Sequence, residues 1–371
     1  MLENLKSHLI NILGWRTNRK IVVFESDDWG SIRMPSKKVY DIVSEKGYPV
    51  DHCAYCRNDS LESNEDLEKI GEVLLSVKDK NGNPAKFTIN NIVANPDFNA
   101  IRENNFKEYV YEPFTKTLAK YPGRGKVMDL YRQGIEEQIF RPQFHGREHV
   151  NVNRWMEALQ NGNKRFRDAF DHSMLTLPAG RHSNGRKDYL DSFGLSYHKQ
   201  YESEEKIIAD GMRLFKEQWG FSSQTFIAPC YTWPSEIEPH LVSQGIRGIQ
   251  GTHVQRVPDS GNDLSIKKKY HYTGQKNRHG QRYLVRNVFF ELIEYGNNNA
   301  VEKAMEQITR AFVYKKPAVI SSHRVNYMGE IREVNRNKNI RLLGKLLKAI
   351  KHKFPDTEFM SSDELLKVMV N

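Results

Sequence analysis

Apolar residues in this chain gather into short runs, each followed by a turn or polar stretch and then by a segment with helical spacing. The runs are KIVVFES (20 to 26), KFTINNIVA (86 to 94), IFRPQFH (139 to 145), MLTLP (174 to 178), QTFIAP (224 to 229), RYLVRNVFFEL (282 to 292) and PAVISSH (317 to 323). Runs of this length bounded by turn residues predict buried strands, and their alternation with helices predicts a parallel α/β architecture. Residues 202 to 219 place Ile207, Ile208, Met212, Leu214 and Phe215 toward one face, with acids in the first turn where the helix dipole favours them. Pro234 and Ser235 open a second helix that closes on Gly245. Residues 336 to 352 form a basic amphipathic helix expected in the outer layer, and Leu2, Leu5, Leu9 and Leu13 give residues 1 to 18 the spacing of another.

With 371 residues, 38% of them hydrophobic and 11% aromatic, the chain can bury a large core. No repeat, low-complexity tract or shift of composition divides it, so one domain over residues 1 to 371 is expected. Residues 256 to 282 carry seven Lys or Arg against two Asp and read as a basic loop or hairpin inserted into it. No run approaches a membrane span, and the first residues lack the apolar core and cleavage site of a signal peptide, so a cytoplasmic location is expected. Three cysteines make no disulfide framework. Cys53 and Cys56 form a CAYC step without a second such step, which argues against a structural zinc site. The net charge of +10 invites nucleic acid. The basic residues are dispersed among 46 acids, however, so an anionic sugar, a phosphorylated carrier or solubility explains the charge as well.

Ionisable residues stand just past the carboxyl ends of several predicted strands, the rim where α/β barrels and open parallel sheets assemble their active sites. KIVVFES runs into Asp27 and Asp28, IFRPQF into His145 and His149, TFIAP into Cys230 and Tyr231, and PAVISS ends at His323. Taken singly, two Asp before a turn, an HxxxH pair or a histidine after a strand are commonplace. Their joint occurrence in this order at strand ends points to one site. Two imidazoles and a carboxylate suit a catalytic divalent metal, zinc above all, whose bound water ionises near neutral pH. One of Asp27 and Asp28 can ligate while the other accepts the proton of the attacking water, and His323 can protonate the leaving group.

These segments resemble the polysaccharide deacetylase family, carbohydrate esterases that remove N- or O-acetyl groups from glycans. SDDWG (26 to 30) is similar to the family's Asp-Asp-Gly motif and HGREH (145 to 149) to its His-x-x-x-His motif. APCYTWP (228 to 234) is similar to its Pro-aromatic motif, and VISSH (319 to 323) to its late strand ending in His. The resemblance implies a distorted (β/α) barrel of about seven parallel strands. It implies Asp28, His145 and His149 as metal ligands, Asp27 as general base, His323 as general acid, and the backbone N–H near Tyr231 as an oxyanion donor. The sequence departs from the pattern at Trp29, Gly146 and Cys230, and lacks both the Arg that precedes the third motif's Pro and a fourth motif with its Asp and Trp. Arg147 and Arg324 stand as replacement orienting charges.

The expected partner is an acetylated sugar or glycan precursor, neutral or anionic, and residues 256 to 282 either contact a phosphate or uronate on it or form a solvated loop. Two alternatives remain open. A glycoside hydrolase would need a second acid across the rim, for which Glu291 and Glu294 are candidates. A catalytically silent carbohydrate-binding barrel could keep only the fold and the metal. Nucleic-acid binding comes last, because the chain carries no recognisable module for it.

Overall fold

The computed structural model describes residues 8–180, 186–195, 198–259, 262–293 and 299–370. In chain order its principal strands are β1 (Ile21–Trp29), β2 (Phe87–Ile92), β3 (Phe140–Gly146), β4 (Thr225–Ile227), β5 (Gly248–Gly251), β6 (Val254–Asp259), β7 (Asn262–Tyr270), β8 (Arg282–Val285), β9 (Val288–Phe289), β10 (Ala318–His323) and β11 (Glu358–Met360). Strands β8, β5, β4, β3, β2, β1, β10 and β9 follow one another in a single sheet in that spatial order, and every pairing is parallel. Strand β11 also pairs with β1.

The two edges of this sheet meet. Only Arg286 and Asn287 separate β8 from β9; the Arg286 N–H donates to the Gly251 carbonyl (2.8 Å), and the Asn287 N–H to the Val319 carbonyl (3.1 Å). One segment thus serves both edges, and the sheet curls into a distorted (β/α) barrel of seven strand positions among the described residues. The helices lie outside: Phe215 of helix Glu204–Trp219 packs edge-on against Phe144 of β3.

Strand periodicity sorts the barrel interior into layers. In β1, Val22 and Phe24 face the helices, while Ile21 and Val23 point inward and join Leu284, Val319, Leu365, Leu366 and Met369 in a separate apolar cluster. The last three come from the final helix, Ser362–Val370, which closes the bottom of the barrel. Above them lies a buried polar layer, where Glu25 accepts from Arg286 Nε (2.7 Å) and from the Ser362 hydroxyl (2.7 Å). Asp27 comes next on the same face and reaches the upper rim, in register with His323.

Six of the seven predicted runs hold barrel strands. The exception is MLTLP: residues 174 to 178 form no strand, and Met174, Leu175 and Leu177 are buried as loop residues whose backbone accepts from the Trp155 indole (2.7 Å, to the Leu175 carbonyl). The seventh position is filled by β5, whose sequence GIQG carries almost no strand signal. Its glycine is demanded by packing, since a Cβ at Gly248 would stand 2.8 Å from Leu284 and 2.9 Å from Thr225. The basic insertion is a β6–β7 antiparallel hairpin, described except at residues 260 and 261. The amino-terminal helix is seen at residues 8 to 12, and residues 1 to 7 lie outside the described part. No helix among the described residues is long and apolar enough to cross a membrane.

Candidate active site

Asp27, Asp28, His145, His149, Tyr231 and His323 all line one cavity of about 420 Å³ at the carboxyl rim. Two features of the backbone aim them there. The pairing of β1 with β2 slips between Ser26 and Trp29, and Asp28 takes a left-handed conformation (φ 75), so consecutive carboxylates diverge from one strand end. Cys230 and Tyr231 are both left-handed as well (φ 56 and 55), making a tight turn after β4 that rings the cavity. Positive φ at a non-glycine residue is uncommon, and here it recurs at site residues.

Asp28 Oδ1 lies 3.3 Å from His145 Nε2 and 3.0 Å from His149 Nε2. The ligand atoms of the three residues lie within 4.8 Å of one another, and no other His, Cys, Asp or Glu group of this kind occurs among the described residues. The set fits a divalent ion in its finer chemistry. His145 Nδ1 donates to the Ile227 carbonyl (3.0 Å), which leaves the Nε2 lone pair free to ligate. His149 Nδ1 is buried with no hydrogen-bond partner. Burial also pushes the His149 imidazole down to about 4, which keeps it in the neutral form a metal needs. Burial opposes the charge of Asp28, but the imidazoles of His149 and His145 and the guanidinium of Arg33 outweigh it and hold the carboxyl well below its usual range.

Asp27 belongs to a different arrangement. Both its oxygens are gripped by the Arg286 fork, Nη2 to Oδ1 at 2.6 Å and Nη1 to Oδ2 at 2.7 Å, and Asn90 donates to Oδ1 at 2.7 Å. Burial alone would raise this carboxyl; Arg286 instead brings it down to about 2, so Asp27 is ionised throughout the physiological range. His323 stands 3.6 Å away (Nε2 to Oδ2) and donates through Nδ1 to Glu291 at 2.8 Å. Glu291 also accepts from Ser321 (3.0 Å) and Asn326 (3.1 Å). Burial would lower His323, but the Glu291 carboxylate and then Asp27 raise it to about 10, leaving an imidazolium at neutral pH. Tyr55 meets the His323 ring edge-on.

Arg286 and Glu291 are the orienting partners of Asp27 and His323, and no sequence motif marks them as such. Both lie in the run RYLVRNVFFEL, where the local signal is a charged residue in the middle and another near the end of a largely apolar stretch. Arg147 and Arg324 do not fill that role. Arg147 pairs with Glu148, Glu202 and Asp210, and Arg324 with Asp59 and Glu62, all away from Asp27. The Tyr231 N–H donates to the Ala228 carbonyl (2.9 Å) and is committed to the turn, while the phenol oxygen accepts from Arg286 (3.1 Å). Glu294 lies outside the described residues. Cys53 and Cys56 line the same cavity, the Cys56 N–H donating to Cys53 Sγ (3.3 Å).

Glu291→Gln isolates the imidazolium. A group raised in the folded state contributes stability present below its ordinary range, near 6.5, and lost as pH climbs through about 10. Removing the Glu291 charge should move the alkaline limb of any His323-dependent activity down by roughly two pH units or more. Histidine NMR of the variant checks this directly, and an unshifted His323 titration would dismiss Glu291 as its partner.

No protein-family model matches this chain, and no curated protein matches it. Among solved structures it is similar to a putative polysaccharide deacetylase from Mycobacterium smegmatis, at 8% identity over 96% of this chain and 92% of that one (TM-score 0.43). It is also similar to a Puue allantoinase, at 9% identity over 95% and 91% (TM-score 0.45). A third is the 4-alpha-glucanotransferase from Thermococcus litoralis, at 13% identity over 95% of this chain but spanning 40% of that one (TM-score 0.41). The fold and site together define a distorted α/β barrel with an Asp-His-His cluster on its carboxyl rim.

Proposed function

We propose that this protein is a metal-dependent hydrolase that removes an acetyl group from an N- or O-acetylated sugar or saccharide precursor. The observation that carries the reading is the assembly, in one cavity, of three groups from distant segments. These are the Asp28-His145-His149 cluster, an Asp27 carboxylate locked by Arg286, and a His323 imidazolium locked by Glu291. Asp28, His145 and His149 would hold a divalent ion, which would supply an acidified water and a Lewis acid for the acyl carbonyl.

The remaining chemistry belongs to the chain. Asp27, ionised before the reaction begins, accepts one proton of the attacking water as the water oxygen bonds to the acyl carbon. His323 gives its proton to the departing nitrogen or oxygen as that bond breaks. The 3.6 Å separation of the two groups then lets the proton on Asp27 return to His323, restoring both for the next turnover. Arg286 and Asn90 fix the direction of Asp27, and Glu291 fixes the tautomer and tilt of His323. The cavity suits a sugar unit in size.

The glycosidase alternative is weaker, because Glu291 is paired with His323 at 2.8 Å as its orienting partner. A silent barrel would need only the metal cluster and neither of the two locked pairs. The test is acetate release from a panel of N- and O-acetylated sugars by zinc-loaded protein. We expect turnover that falls by about a hundredfold or more on chelation and returns on adding zinc. Full activity after exhaustive chelation, or no acetate from any member of the panel, would sink the reading.

A further inference from the structure

Charges on the floor of the cavity are matched: Asp27 with Arg286, Asp28 with the imidazoles and Arg33, Glu291 with His323. Its rim is different. Arg256 of β6 lines the cavity, and its guanidinium makes one long contact, Nη1 to the Cys230 carbonyl at 3.5 Å. Its backbone, by contrast, is fastened: the Arg256 carbonyl accepts from the Trp233 N–H (3.0 Å), and Arg256 bridges to Thr232, beside the strained Cys230–Tyr231 turn. The side chain therefore starts from a fixed point above the reacting groups.

Lys268 of β7 is the direct cross-strand partner of Arg256. Residues directly opposite in an antiparallel ribbon share a face, and like charges there destabilise the pair. No carboxylate among the described residues makes an ion pair with either cation, and both are exposed. A hairpin that sets two unmatched cations side by side, one of them on the wall of a cavity, is arranged for an anion that comes from outside the chain.

We infer that Arg256 and Lys268 form a subsite for an anionic oxygen group, a phosphate or a carboxylate, carried by the substrate at the end remote from the acyl group. This rests on the deacetylase reading for the position of the acyl group, and it narrows the substrate class to anionic acetylated sugars. The test is calorimetric titration of the metal-loaded protein with inorganic phosphate, glucuronate and neutral N-acetylglucosamine, comparing wild type with Arg256→Gln and Lys268→Gln. Binding of phosphate or glucuronate should weaken roughly fivefold to tenfold in each variant and fall with added salt, while binding of the neutral sugar stays unchanged. The stronger of the two anions identifies the source of the charge.

Equal anion affinity in wild type and both variants overturns the inference. So does anion binding that survives Arg256→Gln and vanishes in Asp28→Asn, which puts the anion on the metal. Tighter binding of a short single-stranded oligonucleotide than of either small anion overturns it too, by making the hairpin a polyanion surface. The underlying reading fails separately: anion binding lost in these variants, with no acetate released from any sugar, upholds the subsite and removes the deacetylase.

Discussion

Asp28→Asn should leave the purified chain without its divalent ion and should lower kcat/KM by at least about a thousandfold. The carboxylate of Asp28 is the one anionic member of the ligand cluster, and the two imidazoles that remain are neutral donors. Its neighbours are arranged around its charge. Two imidazole nitrogens approach Oδ1, and Arg33 approaches Oδ2 at 3.4 Å. Asparagine keeps the shape and tolerates the left-handed backbone at φ 75, so the loss is one of charge rather than of folding. Elemental analysis should find close to one ion per chain in the wild type and none in the variant, with unchanged circular dichroism. A variant that retains its ion would move the metal away from this cluster.

Arg286→Met should cost the fold about 3 to 5 kcal/mol and reduce activity by roughly a hundredfold or more. Arg286 has no exposed surface and joins three levels of the barrel: Glu25 in the polar layer, Asp27 at the rim, and through its backbone the junction between the two sheet edges. Methionine fills much of the volume but leaves two buried carboxylates without their cation. The pH dependence carries the sign of the effect. A carboxyl lowered to about 2 in the folded state contributes stability present above the ordinary carboxylate range and lost as pH falls toward 2. Without Arg286, burial acts unopposed and raises the Asp27 carboxyl, so acid unfolding and the acid limb of activity should both begin at higher pH. Arg286→Lys should recover part of the stability but little of the activity, because a single ammonium cannot hold both oxygens of Asp27 in the plane of a fork. Urea unfolding of the three proteins between pH 4 and 7 checks the whole set, and equal stability with an unmoved acid limb would remove Arg286 from the machinery.

Both predictions involve residues of unequal visibility in the sequence. Asp28 stands inside a compact motif at the end of a strand that opens on IVVF, so its place on the rim follows from the strand's length, while its turn into the cavity beside Asp27 comes from the register slip and the left-handed backbone. His145 and His149 are legible for the same reason, as is His323 at the end of PAVISSH. Arg286 is not. It sits mid-run in RYLVRNVFFEL, where a single uninterrupted strand is the natural reading, and nothing local indicates that the run changes partners at residue 286. Its role appears only when β8 is seen against β5 and β9 against β10. Glu291, five residues further on, is legible as an acid, but its bond to His323 spans 32 positions in sequence.

Local patterning determined what local forces govern. Apolar runs with two-residue and helical periods determined the parallel α/β class, six of the barrel strands, the long helices and the rim residues that follow strand ends, since burial of one face depends on neighbours close in sequence. Tertiary structure decided the rest. It made GIQG a strand because β4 and β8 leave a gap that only a chain without a Cβ at Gly248 can enter. It left MLTLP a buried loop, because hydrophobic burial does not require sheet hydrogen bonds. It also chose which of many arginines and glutamates would meet Asp27 and His323, since a buried charge is matched by whatever the closed barrel brings within reach.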